Sequence, residues 1–181
     1  MKFLIGLLIG LLIVPLGIWV YLRAGSPPVA TGDPAFPFEA AIVHVPLHLR
    51  IDRELVKTPP VTASPTNLVI GAHIYRQQCA ACHGLYGRPA TFAKGMYPKA
   101  PQLWEPHHSG VVGVSDDPPG ETYWKVANGI RLSGMPAFKN ILNETEMWQV
   151  SQLLANADKP QPADVMTLIK EPLDLDPTAP Q

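Results

Sequence analysis

Cysteine is almost absent: two residues among 181, Cys79 and Cys82, with no third to join them. That scarcity rules out a disulfide-stapled framework and leaves no four-thiolate zinc site. Charge is sparse too, at 16% of residues with a formal net charge of −1. Such a balance gives no basic footprint for nucleic acid and no long-range steering field. The sequence shows no internal repeat.

What the chain does have begins with an apolar run. Phe3 to Leu22, "FLIGLLIGLLIVPLGIWVYL", carries no charge. At about 1.5 Å of rise per residue it matches a ~30 Å hydrocarbon core. Gly6, Gly10, Pro15 and Gly17 would weaken a soluble helix, whereas membrane helices tolerate them. A cleaved signal peptide is the other reading, but its apolar region is usually about 7–15 residues and ends at a small-x-small site. Here a longer run is closed by Arg23, and no cysteine follows for a lipid anchor. Residues 1–23 are expected to be a retained N-terminal membrane anchor, or uncleaved signal, with its amino end inside.

Proline crowds two regions, 24–66 and 158–181. The first reads as a Pro-rich linker of 43 residues, reaching roughly 35 Å if it were a flexible coil. Inside it, Val43, Val45, Leu47, Leu49 and Ile51 alternate as in a strand, yet Pro46 suits the first turn of a short helix near 46–57. The helix is preferred, because no partner strand is evident. His44 and His48 have helical spacing, but no further metal ligand accompanies them. Residues 158–181 read as a Pro-rich acidic tail in which "PADVMTLIKE" has the makings of a short docking helix.

Helical periodicity concentrates in 67–157. Asn67 is placed to cap a helix running through "NLVIGAHIYRQQCAACH", whose Leu68, Gly71, Ala72 and Tyr75 share a face. A second helix is expected over Glu121–Asn128, and a third from Asn143, where Asn143 and Glu146 resemble a capping box. Between them, residues 84–119 are rich in Gly and Pro and must be mostly loop. So long a loop in a compact domain needs something to wrap, and a large cofactor would serve. The domain is expected to be all-α.

The stretch "CAACH" carries the chemistry. A thioredoxin-like pair would need a βαβ context, and structural zinc would need four ligands at a recognised spacing; neither is present. A disulfide across two residues closes a tiny loop and stabilises little. C-x-x-C-H is the attachment signature of haem c: Cys79 and Cys82 form thioethers, and His83 is the proximal ligand. Downstream, "GMPAF" offers Met135, and His/Met is the ligation of cytochromes c. Met147 falls in a helix and Met166 in the tail, while Met96 sits in a loop as the main competitor. Met135 is preferred for its Gly-Met-Pro setting between two helices.

Residues 67–157 resemble a class I monohaem c-type cytochrome, like the small membrane-anchored modules of bacterial respiratory complexes. The matching pieces are "GAHIYRQQCAACHG", "APQL", "YWKVANGI", "GMPAF" and "ETEMWQVSQLLA", in family order. The resemblance implies the class I cytochrome c fold: three or more short helices wrapped around one haem c. It also implies that the carbonyl of Pro101 accepts a hydrogen bond from His83 and that Leu103 packs on the haem. A close crossing of the first and last helices is implied as well, with Gly71 and Tyr75 against Trp148 and Leu153. Trp124 and Arg131 are further candidates for holding the porphyrin or its propionates, with a place in the core as the equal alternative for Trp124. The stretch between His83 and Pro101 is longer than in minimal members.

These readings converge on a membrane-tethered one-electron carrier, an electron-transfer protein or oxidoreductase subunit in place of an enzyme in its own right. Its partners would be redox proteins in or at the membrane, with the domain on the periplasmic side of a bacterial inner membrane. The alternative is a haem subunit whose Met ligand dissociates, acting as a peroxidase or gas sensor. His107 and His108 are the only distal polar candidates for such an open site.

Overall fold

The computed structural model describes residues 2–107 and 110–173. His108 and the end of the tail, from 174, lie outside them. Seven α-helices and one 3-10 turn are present among the described residues, with no strand, only the isolated bridges Leu85–Arg88 and His107–Val111. The chain divides into two compact units, Met1–Ala40 and Ala41–Gln181.

The first unit contains α1 (Lys2–Ala24) and a short connecting segment. Gly6–Ala24 is long and apolar enough to cross a membrane, a test that a signal sequence also passes. After it, Asp33 accepts hydrogen bonds from the Val29 and Ala30 N–H groups, both at 2.8 Å, and closes a turn.

Helix α2 (Glu39–Glu54) starts well before the segment near 46–57 that proline had suggested. Its start is set by Glu39, whose carboxylate takes the Phe36 N–H at 2.8 Å. Pro46 therefore sits inside the helix, where it has no N–H to donate to the carbonyl one turn earlier. The linker is not free coil beyond this helix. Val61 O accepts from Gln152 Nε2 at 2.7 Å, and Thr62 O accepts from Asn67 Nδ2 at 2.9 Å. Gly120 leaves no room for a side chain beside Val56 O.

Helix α3 (Pro65–Gln78) is capped by Ser64, not by Asn67: Ser64 Oγ accepts the Asn67 N–H at 3.3 Å and Pro65 fills N1. A serine followed by proline satisfies a helix start twice, through an acceptor and a preset φ. Helix α4 is the single turn Ala80–His83, and Phe92–Gly95 forms the 3-10 turn. Helix α5 is Pro119–Asn128; α6 (Glu144–Ala155) begins with a full Asn143–Glu146 capping box.

Helices α3 and α6 cross closely because Gly71 has no Cβ, which would come within 2.5 Å of Gln149 O and 3.2 Å of Leu153 Cβ. The aromatics pair differently from the implied contact. Trp148 stacks on Tyr123 of α5 at 4.1 Å, while Tyr75 meets Trp104 edge-on at 5.9 Å. Helix α7 (Ala163–Lys170) lies against α3 with Val165 and Ile169 wholly buried in the same core as Leu68, Tyr75, Val150 and Leu153. Helix α7, inside the segment expected to be a tail, thus belongs to the packed domain.

Candidate haem site

The helix break at Cys79 creates the site. Its carbonyl accepts the Cys82 and His83 N–H groups at 3.1 and 2.9 Å, winding the next turn so that both cysteines and the histidine share one short element. Gly84 then turns the chain with φ +72, and a Cβ there would lie 2.5 Å from Gln102 Oε1. Tyr75 Oη donates to Gly84 O at 2.8 Å and pins this corner to α3.

Both thiols are free. Burial, with a smaller contribution from Cys82, pushes the Cys79 thiol up to about 12. A raised value makes Cys79 a poor thiolate nucleophile, the opposite of the lowered value of a reactive redox cysteine.

His83 Nδ1 lies 2.9 Å from Pro101 O. The carbonyl can only accept, so Nδ1 carries the proton and Nε2 keeps its lone pair for a metal. Burial holds the imidazole below its usual range, against the opposing pull of the Pro101 carbonyl, and so favours the neutral, ligating form. Leu103, buried, donates its N–H to His83 O at 3.0 Å.

Gln102 was missed as a site residue although "APQL" had been singled out. Its amide N–H groups reach Cys82 O at 3.1 Å and Ala100 O at 3.0 Å, and its carbonyl takes the Ala90 N–H at 2.6 Å. One side chain thereby stitches the cysteine turn to the loop carrying Pro101. A lone glutamine offers no spacing signal, because its three partners are set only by the folded loop.

Met135 is half-buried against the core, on a loop held tightly from below. Ile130 N–H donates to Met135 O at 3.2 Å, and Ser133 Oγ accepts the Met135 N–H at 3.2 Å. A Cβ on Gly129 would strike Pro136 C and Ala137 N at 2.7 Å and Met135 O at 2.8 Å. Leu132 adopts φ +63, a strained conformation for a bulky residue. Met96, the rival thioether, is close at hand: its Cε would lie 2.3 Å from a Cβ on Gly134.

Trp124 donates its indole N–H to Glu54 Oε2 at 2.8 Å, which ties α5 to the end of α2. Arg131 is exposed on the loop before Met135. His107 is held by its Nδ1 at Glu105 O, 3.0 Å away. His44 and His48 meet edge-on at 6.2 Å, and no group of three metal-ligating side chains exists among the described residues.

A haem fits this donor set. Two unpaired thiols stand three residues apart, an imidazole nitrogen is free by tautomer, and a thioether is held on a stiff loop. Both loops also leave large apolar side chains uncovered, Phe92 and Tyr97 in one and Leu132 in the other. The helical fold and its cysteine-histidine turn define a monohaem c-type cytochrome domain. Residues 66–154, just under half of the chain, match the family described as cytochrome C oxidase, cbb3-type, subunit III. No curated protein matches the chain.

Proposed function

We propose that the protein is a membrane-tethered one-electron carrier with a His83/Met135-ligated haem c, passing electrons between respiratory or dehydrogenase partners at the outer face of a bacterial inner membrane. The matched family is named for an oxidase subunit, which makes a terminal oxidase complex one setting for it. The observation that carries the reading is the His83–Pro101 hydrogen bond, which orients a neutral imidazole next to Cys82 and four residues from Cys79, both of them free thiols.

When bound, the haem would supply a one-electron iron couple, with His83 and Met135 as the side chains that would hold its iron. Cys79 and Cys82 would hold it covalently, and Gln102 keeps their turn fixed to the Pro101 loop. The polar ring of Gly129, Ile130 and Ser133 holds Met135 so that little rearranges when charge changes. Exposed Arg131 is available to a propionate. Apolar α1 supplies the tether, which replaces charge steering by effective concentration.

Expression with a haem-attachment apparatus should yield a chain heavier by one haem that survives acid extraction. Its ferric form should show the weak far-red methionine–iron band, absent in Met135→Ala. Ready binding of carbon monoxide by the wild-type ferrous protein would instead favour a dissociable ligand and the sensor or peroxidase reading.

A further inference from the structure

Helix α2 has two apolar faces where its seat on the cytochrome domain needs one. The inner face is Val43, Leu47 and Ile51, spaced i, i+4, i+8; Ile51 is 1% exposed and the other two are half-buried. The outer face is Ile42, Val45 and Leu49, spaced i, i+3, i+7 and exposed by 66%, 57% and 50%. At 3.6 residues per turn the two faces point roughly 170° apart. Two opposed stripes on one helix mark a bridge between two apolar phases, one of which is the protein's own domain.

We propose that the outer face of α2 lies in the lipid interface of the membrane that α1 spans, setting the height and orientation of the haem domain above it. This rests on reading α1 as a retained anchor. The occupant follows from chain length. Only residues 25–38 separate α1 from α2, a span of roughly 20 Å as a coil and less with the Asp33 turn closed. That short tether keeps the start of α2 near the bilayer surface. Exposed Phe36 and Phe38 lie on the same short path. Charge identifies the kind of lipid contact. Glu39, Asp52 and Glu54 balance Arg50, Arg53 and Lys57, so the attraction is apolar and does not require anionic headgroups.

The test uses the full haem-loaded chain in phosphatidylcholine nanodiscs, with an environment-sensitive fluorophore at Ile42→Cys, Val45→Cys, Leu49→Cys or the control His48→Cys. Cys79 and Cys82 are consumed by the haem, so each variant carries one label. Expected is quenching of positions 42, 45 and 49 by lipid-borne nitroxide at least threefold stronger than at 48, with the reverse order for aqueous iodide. Equal iodide access at all four positions overturns the proposal. Protection from both quenchers also overturns it, since that result means a protein partner or second copy covers the stripe. A label at Leu12→Cys tests the anchor separately: its loss from the mature chain overturns the tether and the argument from reach, whatever α2 reports.

Discussion

At the scale of single residues, the site is held by places where a side chain is missing as much as by those present. Gly129 and Gly134 lie on the same loop and a Cβ at either would meet a close neighbour, but of different kinds. Around Gly129 the neighbours are backbone atoms of Met135, Pro136 and Ala137, and φ is +66. Around Gly134 the only close neighbour is the flexible end of Met96. Gly129→Ala should therefore cost about 3 kcal/mol, from left-handed strain plus overpacking, and should weaken the far-red methionine band. Gly134→Ala should cost under about 1 kcal/mol, because Met96 can swing aside. Thermal melts and ferric spectra of the two variants, side by side, check the order; equal losses would refute it. The candidate donors can be named from sequence because CxxCH and Gly-Met-Pro compress their chemistry into consecutive residues. The hydrogen bonds of Gln102 and of the Trp124 indole cannot, because both depend on contacts between distant segments with no local signature.

At the scale of elements, α7 shows how a segment can look like tail and be core. Its eight residues sit between prolines, and its apolar face is only two turns long. What fixes it is Arg76 of α3, whose guanidinium donates to Leu168 O, Glu171 O and Pro172 O at the end of α7. Leu168 O is an orphan acceptor of the helix C-terminus and the other two carbonyls follow just past it, where a cation is also favoured by the dipole. Arg76→Ala leaves them unpaired and should destabilise the domain by about 2–4 kcal/mol, with hydrogen exchange rising in α7 first. Arg76→Lys should recover only part, since one ammonium cannot serve three acceptors in a fork geometry. Full rescue by lysine would show that charge alone matters. The amphipathic pattern of "ADVMTLIK" was readable; its receptor, more than 90 residues upstream, was not.

At the scale of the whole molecule, the proposed tether depends on how much of the linker is free chain. A coil of 43 residues would roam; a helix seated on the domain by Ile51, with Val61 O bonded to Gln152, leaves only a short connection near α1. The exposed contact Glu54–Trp124 makes this seating sensitive to acid. The Trp124 N–H first, and Arg50 second, hold the Glu54 carboxyl below its ordinary value. A lowered folded value means the contact stabilises seating above the ordinary glutamate range and fades as pH falls through that lowered value. Amide protection in the last turns of α2 should thus be flat near neutrality and decline in acid. Glu54→Gln keeps an acceptor for the indole but has no proton to gain, so its protection should be lower at neutral pH and lose the acid-dependent component. The difference between the two profiles, by hydrogen exchange on the haem-loaded chain, isolates this one carboxylate from the general effects of acid. Parallel profiles would mean that Ile51 and the Val61–Gln152 bond seat the helix without it.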